Sequence, residues 1–132
     1  MSVTKLNQLN TRVGFIGLGL MGSRLVRRLD SFGWHIRAWN RSPRPADEIN
    51  KWGIAIAPSI ADLVADSDVI ISSLANDPAV RSVYLNNGGV FSLTEPGTVI
   101  LEMSTISPEL SRDLHREART KGVNFLDVAI SG

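Results

Sequence analysis

The chain has no cysteine, and in 132 residues it carries only two histidines, one tyrosine and four phenylalanines. Without cysteine, disulfides, thiolate metal sites and a cysteine nucleophile are all excluded. His35 and His115 are far apart and lack metal-ligand spacing, so they read as structural or solvated groups and no metal is expected. There is no G-x-S-x-G elbow and no carboxylate pair at a recognisable site. No apolar run approaches membrane-spanning length, and the opening MSVTKLNQLN lacks the apolar core of a secretory signal. Residues 1–11 read as a polar leader, no membrane partner is expected, and a cytoplasmic location is the default. Aromatic residues are not interleaved with the basic ones and the pI is 8.2, so no nucleic-acid partner is expected either.

What is present suits a single soluble domain: 43% apolar and 20% charged residues in a length that can bury a core. Net charge is +1 but lopsided. Residues 1–52 hold nine Lys/Arg against three acids, whereas the remainder holds five against ten. Such asymmetry hints at an anionic ligand on the first half, although composition alone favours solvated helix faces.

Apolar runs of strand length alternate with helix-period segments. RVGFIG (12–17), HIRAWN (35–40), GIAIA (53–57), DVIISSL (68–74), GTVILEM (97–103) and NFLDVA (124–129) are the expected strands. Met21, Leu25, Leu29 and Phe32 mark the first helix, with Gly33 placed to end it. A short helix is expected over 45–52, with Asp47 and Glu48 in its first turn. Ser59 with Asp62, Asp77 with Pro78, and Ser107 with Pro108 are expected helix starts. Leu110, Leu114 and Ala118 form one helical stripe ending at Gly122. This pattern predicts an α/β fold, a doubly wound Rossmann-type parallel sheet of six strands in the order 3-2-1-4-5-6 with helices on both faces.

The first strand runs into Gly17-Leu18-Gly19-Leu20-Met21-Gly22, a G-x-G-x-x-G that opens a helix. Alone the pattern is weak; directly after a strand and before an amphipathic helix it points to a dinucleotide. Gly17 permits the tight turn, Gly19 lets backbone approach a pyrophosphate, and Gly22 lets helix and strand pack closely. The helix start, at Leu20 and Met21, then presents N–H groups and the positive dipole end to the phosphates. After the second strand stand Asn40, Arg41 and Ser42, with no carboxylate to receive a ribose 2′-hydroxyl. Arg41 can instead pair with a 2′-phosphate while Asn40 and Ser42 offer neutral hydrogen bonds, so the expected cofactor is NADP, with NADPH preferred over NADH.

GFIGLGLMG, WNRS, EMSTISPE and FLDVAISG together resemble the N-terminal NADP-binding domain of the β-hydroxyacid dehydrogenase superfamily, which includes 3-hydroxyisobutyrate and 6-phosphogluconate dehydrogenases. The resemblance covers the chain from residue 12 onward. It implies that Leu74 and Ala75 lie against the nicotinamide half, that Thr105, with Ser104 beside it, contacts the cofactor, and that Ser131 and Gly132 open a substrate-binding turn. Two departures stand out: Glu102 occupies a position where aspartate is common, and Ala129-Ile130 replaces a common proline-valine. The family's catalytic lysine and its helical substrate and dimerisation domain are implied to lie beyond Gly132, so no catalytic residue is expected in 12–132. Lys121, at a helix end, is not a substitute.

Two readings follow. One is the NADP(H)-binding domain of an oxidoreductase acting on a small hydroxyacid, aldehyde or imine, truncated before its lysine and inactive alone. The other is a stand-alone, non-catalytic dinucleotide-binding module. Both predict NADPH binding, and both leave a face that promotes self-association if the second domain is missing.

Overall fold

A computed structural model describes residues 10–43, 48 and 51–128. Six strands form one all-parallel sheet: β1 (Arg12–Ile16), β2 (His35–Trp39), β3 (Ala55–Ile56), β4 (Val69–Ser72), β5 (Val99–Glu102) and β6 (Asn124–Asp127). Their order is β3-β2-β1-β4-β5-β6, the expected one. Because every pairing is parallel, all strands end at one edge of the sheet.

The strands are shorter than their apolar runs, since residues that continue a run leave the ladder to enter the turns. The helices are α1 (Leu20–Ser31), α2 (Ile60–Ala65), α3 (Asp77–Tyr84), α4 (Val90–Leu93) and α5 (Pro108–Lys121). Of the short helix expected over 45–52, Glu48, Lys51 and Trp52 are helical and the rest lies outside the described residues.

Two cores sit on opposite faces, because alternate side chains of each strand point to opposite sides. On one face Ile16, Ile70 and Ile100 pack with Leu63 and Val64 of α2, Val80 and Val83 of α3, Phe91 of α4, and Leu110, Leu114 and Ala118 of α5. On the other, Val13, Phe15, Val69 and Ile71 pack against Val26 of α1, with Trp34 and Trp52 at the margin. Of the stripe expected over Met21, Leu25, Leu29 and Phe32, Leu25 and Leu29 pack half-buried against this core and Met21 and Phe32 are exposed, while the fully buried residues of α1 are Gly22, Ser23 and Val26. Small residues win the buried face because this helix lies close to the strand that feeds it. On that same face, Leu126 and Val128 at the β6 edge are 53% and 45% exposed.

The helix ends follow local chemistry. Ser59 accepts from the Asp62 N–H, and Ser107 accepts from the Leu110 N–H at 3.1 Å. Gly122 closes α5 in the left-handed conformation, φ 70°. The start of α3 differs from expectation by one residue. Asn76 is the cap, accepting from the Ala79 N–H at 3.0 Å, and Asp77 is already helical. Its carboxylate is thereby released to another partner.

Candidate functional site: the carboxyl edge of the sheet

The turn after β1 shows why three glycines stand where they do. Gly17 has φ +103°, and a Cβ there would lie 2.1 Å from the Ser73 carbonyl oxygen. A Cβ on Gly22 would lie 1.9 Å from the Gly17 carbonyl oxygen. Both positions therefore exclude any side chain on internal grounds. Gly19 differs: a Cβ there meets no atom within 4 Å. Gly19 is the N-cap of α1, has ordinary backbone angles and offers no side-chain cap, and no acid stands in the first turn. The start of this 12-residue helix thus has no side-chain cap and no neighbour over Gly19, with Leu20 (76% exposed) and Met21 (46% exposed) beside it. Helix-end N–H groups without a partner favour an anion.

Asn40 ties the turn after β2 to this one. Its Oδ1 accepts from the Leu18 N–H at 2.8 Å, and its Nδ2 donates to the Ser42 carbonyl at 2.7 Å. The amide expected to offer a neutral ligand contact thus also sets the two turns against each other, with one Nδ2 hydrogen outside these two bonds. Arg41 and Ser42 are exposed, and no acid among the described residues pairs with Arg41.

The turns after β4 and β5 are also joined. The Leu74 N–H donates to Ser104 Oγ at 2.7 Å, and the Ser107 N–H donates to Asp77 Oδ1 at 3.1 Å. The Ser107 bonds hold the Asp77 carboxyl below its usual range. Leu74 is half-buried, while Ala75 and Thr105 are exposed at the rim. Beneath them lies a buried polar chain that sequence reasoning missed. Ser72 Oγ donates to Glu102 Oε2 and accepts from Tyr84 OH at 2.6 Å, and Glu102 Oε1 accepts from the Ser104 N–H at 2.8 Å. Burial pushes Glu102 up from the ordinary glutamate value, opposed by the bonds from Ser104 and Ser72. Burial, then the charge of Glu102, pushes the Tyr84 hydroxyl well above its ordinary value. The only signal in the sequence was Glu102 itself, an acid inside an otherwise apolar strand.

Gly17, Gly19, Leu20, Met21, Gly22, Asn40, Arg41, Ser42, Leu74, Ala75 and Thr105 therefore share one edge, on four adjacent strands. Ser131 and Gly132, expected to open a substrate turn, lie outside the described residues. Among the described residues no group of acids and histidines could hold a metal ion, and no helix is long and apolar enough to cross a membrane. Lys121 ends α5 beside Gly122, whose carbonyl accepts from the Gly97 N–H, and so sits at the opposite edge.

Known proteins carry the same design. The family model for the NAD binding domain of 6-phosphogluconate dehydrogenase matches residues 12–132. A probable 3-hydroxyisobutyrate dehydrogenase-like 3 (mitochondrial) of Arabidopsis thaliana is 35% identical over 122 residues, covering 92% of this chain and 38% of the relative. The NAD-dependent L-serine dehydrogenase of Pseudomonas aeruginosa is 35% identical over 121 residues, covering 92% and 41%. A solved structure of Psf3 in complex with NADP+ and 2-OPP superposes with a TM-score of 0.86 at 33% identity, covering 91% of this chain and 43% of that one. The chain thus spans about two-fifths of the length of these relatives. With the glycine turn, the sheet order and a match across residues 12–132 in agreement, the chain belongs to the family of NAD-binding domains of 6-phosphogluconate dehydrogenase, kin to the 3-hydroxyisobutyrate dehydrogenases.

Proposed function

We propose that residues 12–132 bind NADP(H) in preference to NAD(H), as the cofactor domain of an oxidoreductase acting on a small hydroxyacid, aldehyde or imine. The observation that carries the reading is Gly19. Its neighbours Gly17 and Gly22 are demanded by packing, but the space over Gly19 serves no internal contact. A pyrophosphate fits it: backbone can approach closely, and helix N–H groups face it. Gly19, Leu20 and Met21 would hold the phosphates, Arg41 and Ser42 the adenosine ribose phosphate, and Leu74, Ala75 and Thr105 the nicotinamide half. Bound there, the dinucleotide supplies hydride-transfer chemistry, which the protein itself orients and shields.

Preference for NADP(H) rests on this chain's own residues, because its relatives divide: one is named NAD-dependent and another holds NADP+. The turn after β2 carries no carboxylate among Asn40, Arg41 and Ser42, and Arg41 meets no acid among the described residues. A bond from a guanidinium to a phosphate contributes roughly 1.5–3 kcal/mol, or about ten- to a hundred-fold in affinity.

For the isolated 132-residue chain we propose binding without turnover. No lysine or histidine among the described residues stands at the carboxyl edge: His35 opens β2 at the other edge and His115 is held within α5, its Nδ1 2.7 Å from the Ser111 carbonyl. The test is fluorescence titration with NADPH and NADH, beside an assay with small aldehydes and hydroxyacids. Tighter NADPH binding with no turnover is expected; equal affinities would sink the preference, and measurable turnover would sink the inactivity.

A further inference from the structure

We infer that Glu102 is a positioning residue that holds the turns after β4 and β5 together as one surface for the nicotinamide half of the dinucleotide. The inference rests on the dinucleotide reading above. It starts from an expense: a carboxylate with no exposed surface costs stability unless its oxygens are well bonded. Both are. One takes the Ser72 hydroxyl, which is itself bonded by Tyr84, and the other takes the Ser104 N–H. An apolar side chain would fill the same volume without needing two partners, so packing alone does not account for the acid.

What the acid accomplishes lies one bond further out. With its N–H anchored on Glu102, Ser104 is oriented so that its hydroxyl accepts from the Leu74 N–H at 2.7 Å. The order is thus Tyr84, Ser72, Glu102, Ser104, Leu74, running from the core to the rim and from β4 to β5 and back. Asp77 to Ser107 makes a second tie between the same two turns, nearer solvent. None of these bonds reaches the 17–22 turn or the 40–42 turn, whose own tie is Asn40. The side-chain supports of the two halves are therefore separate, although the halves meet at the backbone, where Gly17 lies against the Ser73 carbonyl and the Ser73 N–H donates to the Ile16 carbonyl at 2.9 Å. Glu102 supports one of them.

Separate supports predict a split. The full chain and its variants Glu102→Ala, Glu102→Gln and Ser104→Ala are titrated with NADPH and with 2′,5′-ADP, which carries the adenosine half and its extra phosphate but no nicotinamide. Glu102→Ala is expected to weaken NADPH binding by about tenfold while 2′,5′-ADP affinity stays within about twofold. Glu102→Gln, which can still accept from the Ser104 N–H, is expected to recover most of the loss. Ser104→Ala removes the hydroxyl that accepts from Leu74 and also faces Glu102, keeps the backbone N–H on Glu102, and is expected to reproduce the split in weaker form; it also carries the test if Glu102→Ala does not fold. NADPH and 2′,5′-ADP affinities falling together, or NADPH affinity unchanged in Ser104→Ala and Glu102→Gln alike with Glu102→Ala unfolded or unchanged, would overturn the positioning role. If the unaltered chain binds neither ligand, the dinucleotide reading itself fails.

Discussion

The two edges of the sheet use the same residue type to opposite ends. At the amino edge Arg12 pairs with Asp66 and Asp68 at 3.3 and 3.1 Å, and Arg37 pairs with Asp66 at 2.7 Å. An open cleft of about 390 Å³ lies there, lined by Arg12, Arg37 and Asp66 with Trp34, His35 and Asp30, and both its arginines are already paired. At the carboxyl edge the described turns offer backbone N–H groups, small side chains and one arginine, Arg41, that meets no described acid. Charge that is balanced internally stabilises the protein a little; charge and N–H groups left unbalanced favour a ligand. The excess positive charge of residues 1–52 is thus not all directed at the site, since Arg12 and Arg37 are neutralised at the far edge, and Arg27 and Arg28 lie over Trp52 and Phe32.

The sharpest way to break this contrast is within the glycine turn. Gly22→Ala must displace backbone at 1.9 Å, and we expect a loss of about 3 kcal/mol or more in stability, read as a lowered midpoint in urea. Gly19→Ala has open space around it and should cost about 1 kcal/mol or less, yet weaken NADPH binding tenfold or more because the new methyl occupies the ligand's place. Equal destabilisation by both would make the turn merely structural. Next in size, Arg41→Ala should lower NADPH affinity about ten- to a hundred-fold and leave NADH affinity nearly unchanged in paired titrations. Should both ligands weaken equally, Arg41 does not read the 2′-phosphate.

A smaller effect concerns pH. Burial raises Glu102 in the folded state, so the folded chain holds that proton more tightly than the unfolded one. Stability should then fall, relative to Glu102→Gln, as pH rises from the ordinary glutamate range through the raised value. Melting curves across that window give the sign, and a rising difference would contradict it. The smallest effect is at the amino edge. The Arg12 hydrogen bond holds Asp68 below the ordinary aspartate value, so its contribution is present above that value and lost as pH falls through the depressed one. Both side chains are about half exposed, so Asp68→Asn should cost under about 1 kcal/mol at neutral pH, and the difference should shrink in acid.

Much of the architecture was legible because it depends on local rules. Alternating apolar runs, capping serines and a closing glycine at 122 specify six parallel strands and their crossovers almost without reference to distant residues. Where legibility ended, competition between neighbours decided. Asp77 looked like a cap, but Asn76 took that place and Asp77 turned to Ser107 instead. Asn40 was expected near a ligand from its place after β2, and nothing in that place foretold its two backbone partners, the Leu18 N–H and the Ser42 carbonyl. The four-residue helix Val90–Leu93 had too short a pattern to be read at all.

By itself the sequence determined the sheet order, the glycine turn and the absence of a carboxylate after β2, because spacing and residue type suffice for each. Only the tertiary structure decided what forbids a side chain at Gly17, and which groups Glu102 bonds. Both answers depend on atoms far apart in the chain, the Ser73 carbonyl over Gly17 and the Ser72 hydroxyl on Glu102, and their meeting is a property of packing rather than of any segment.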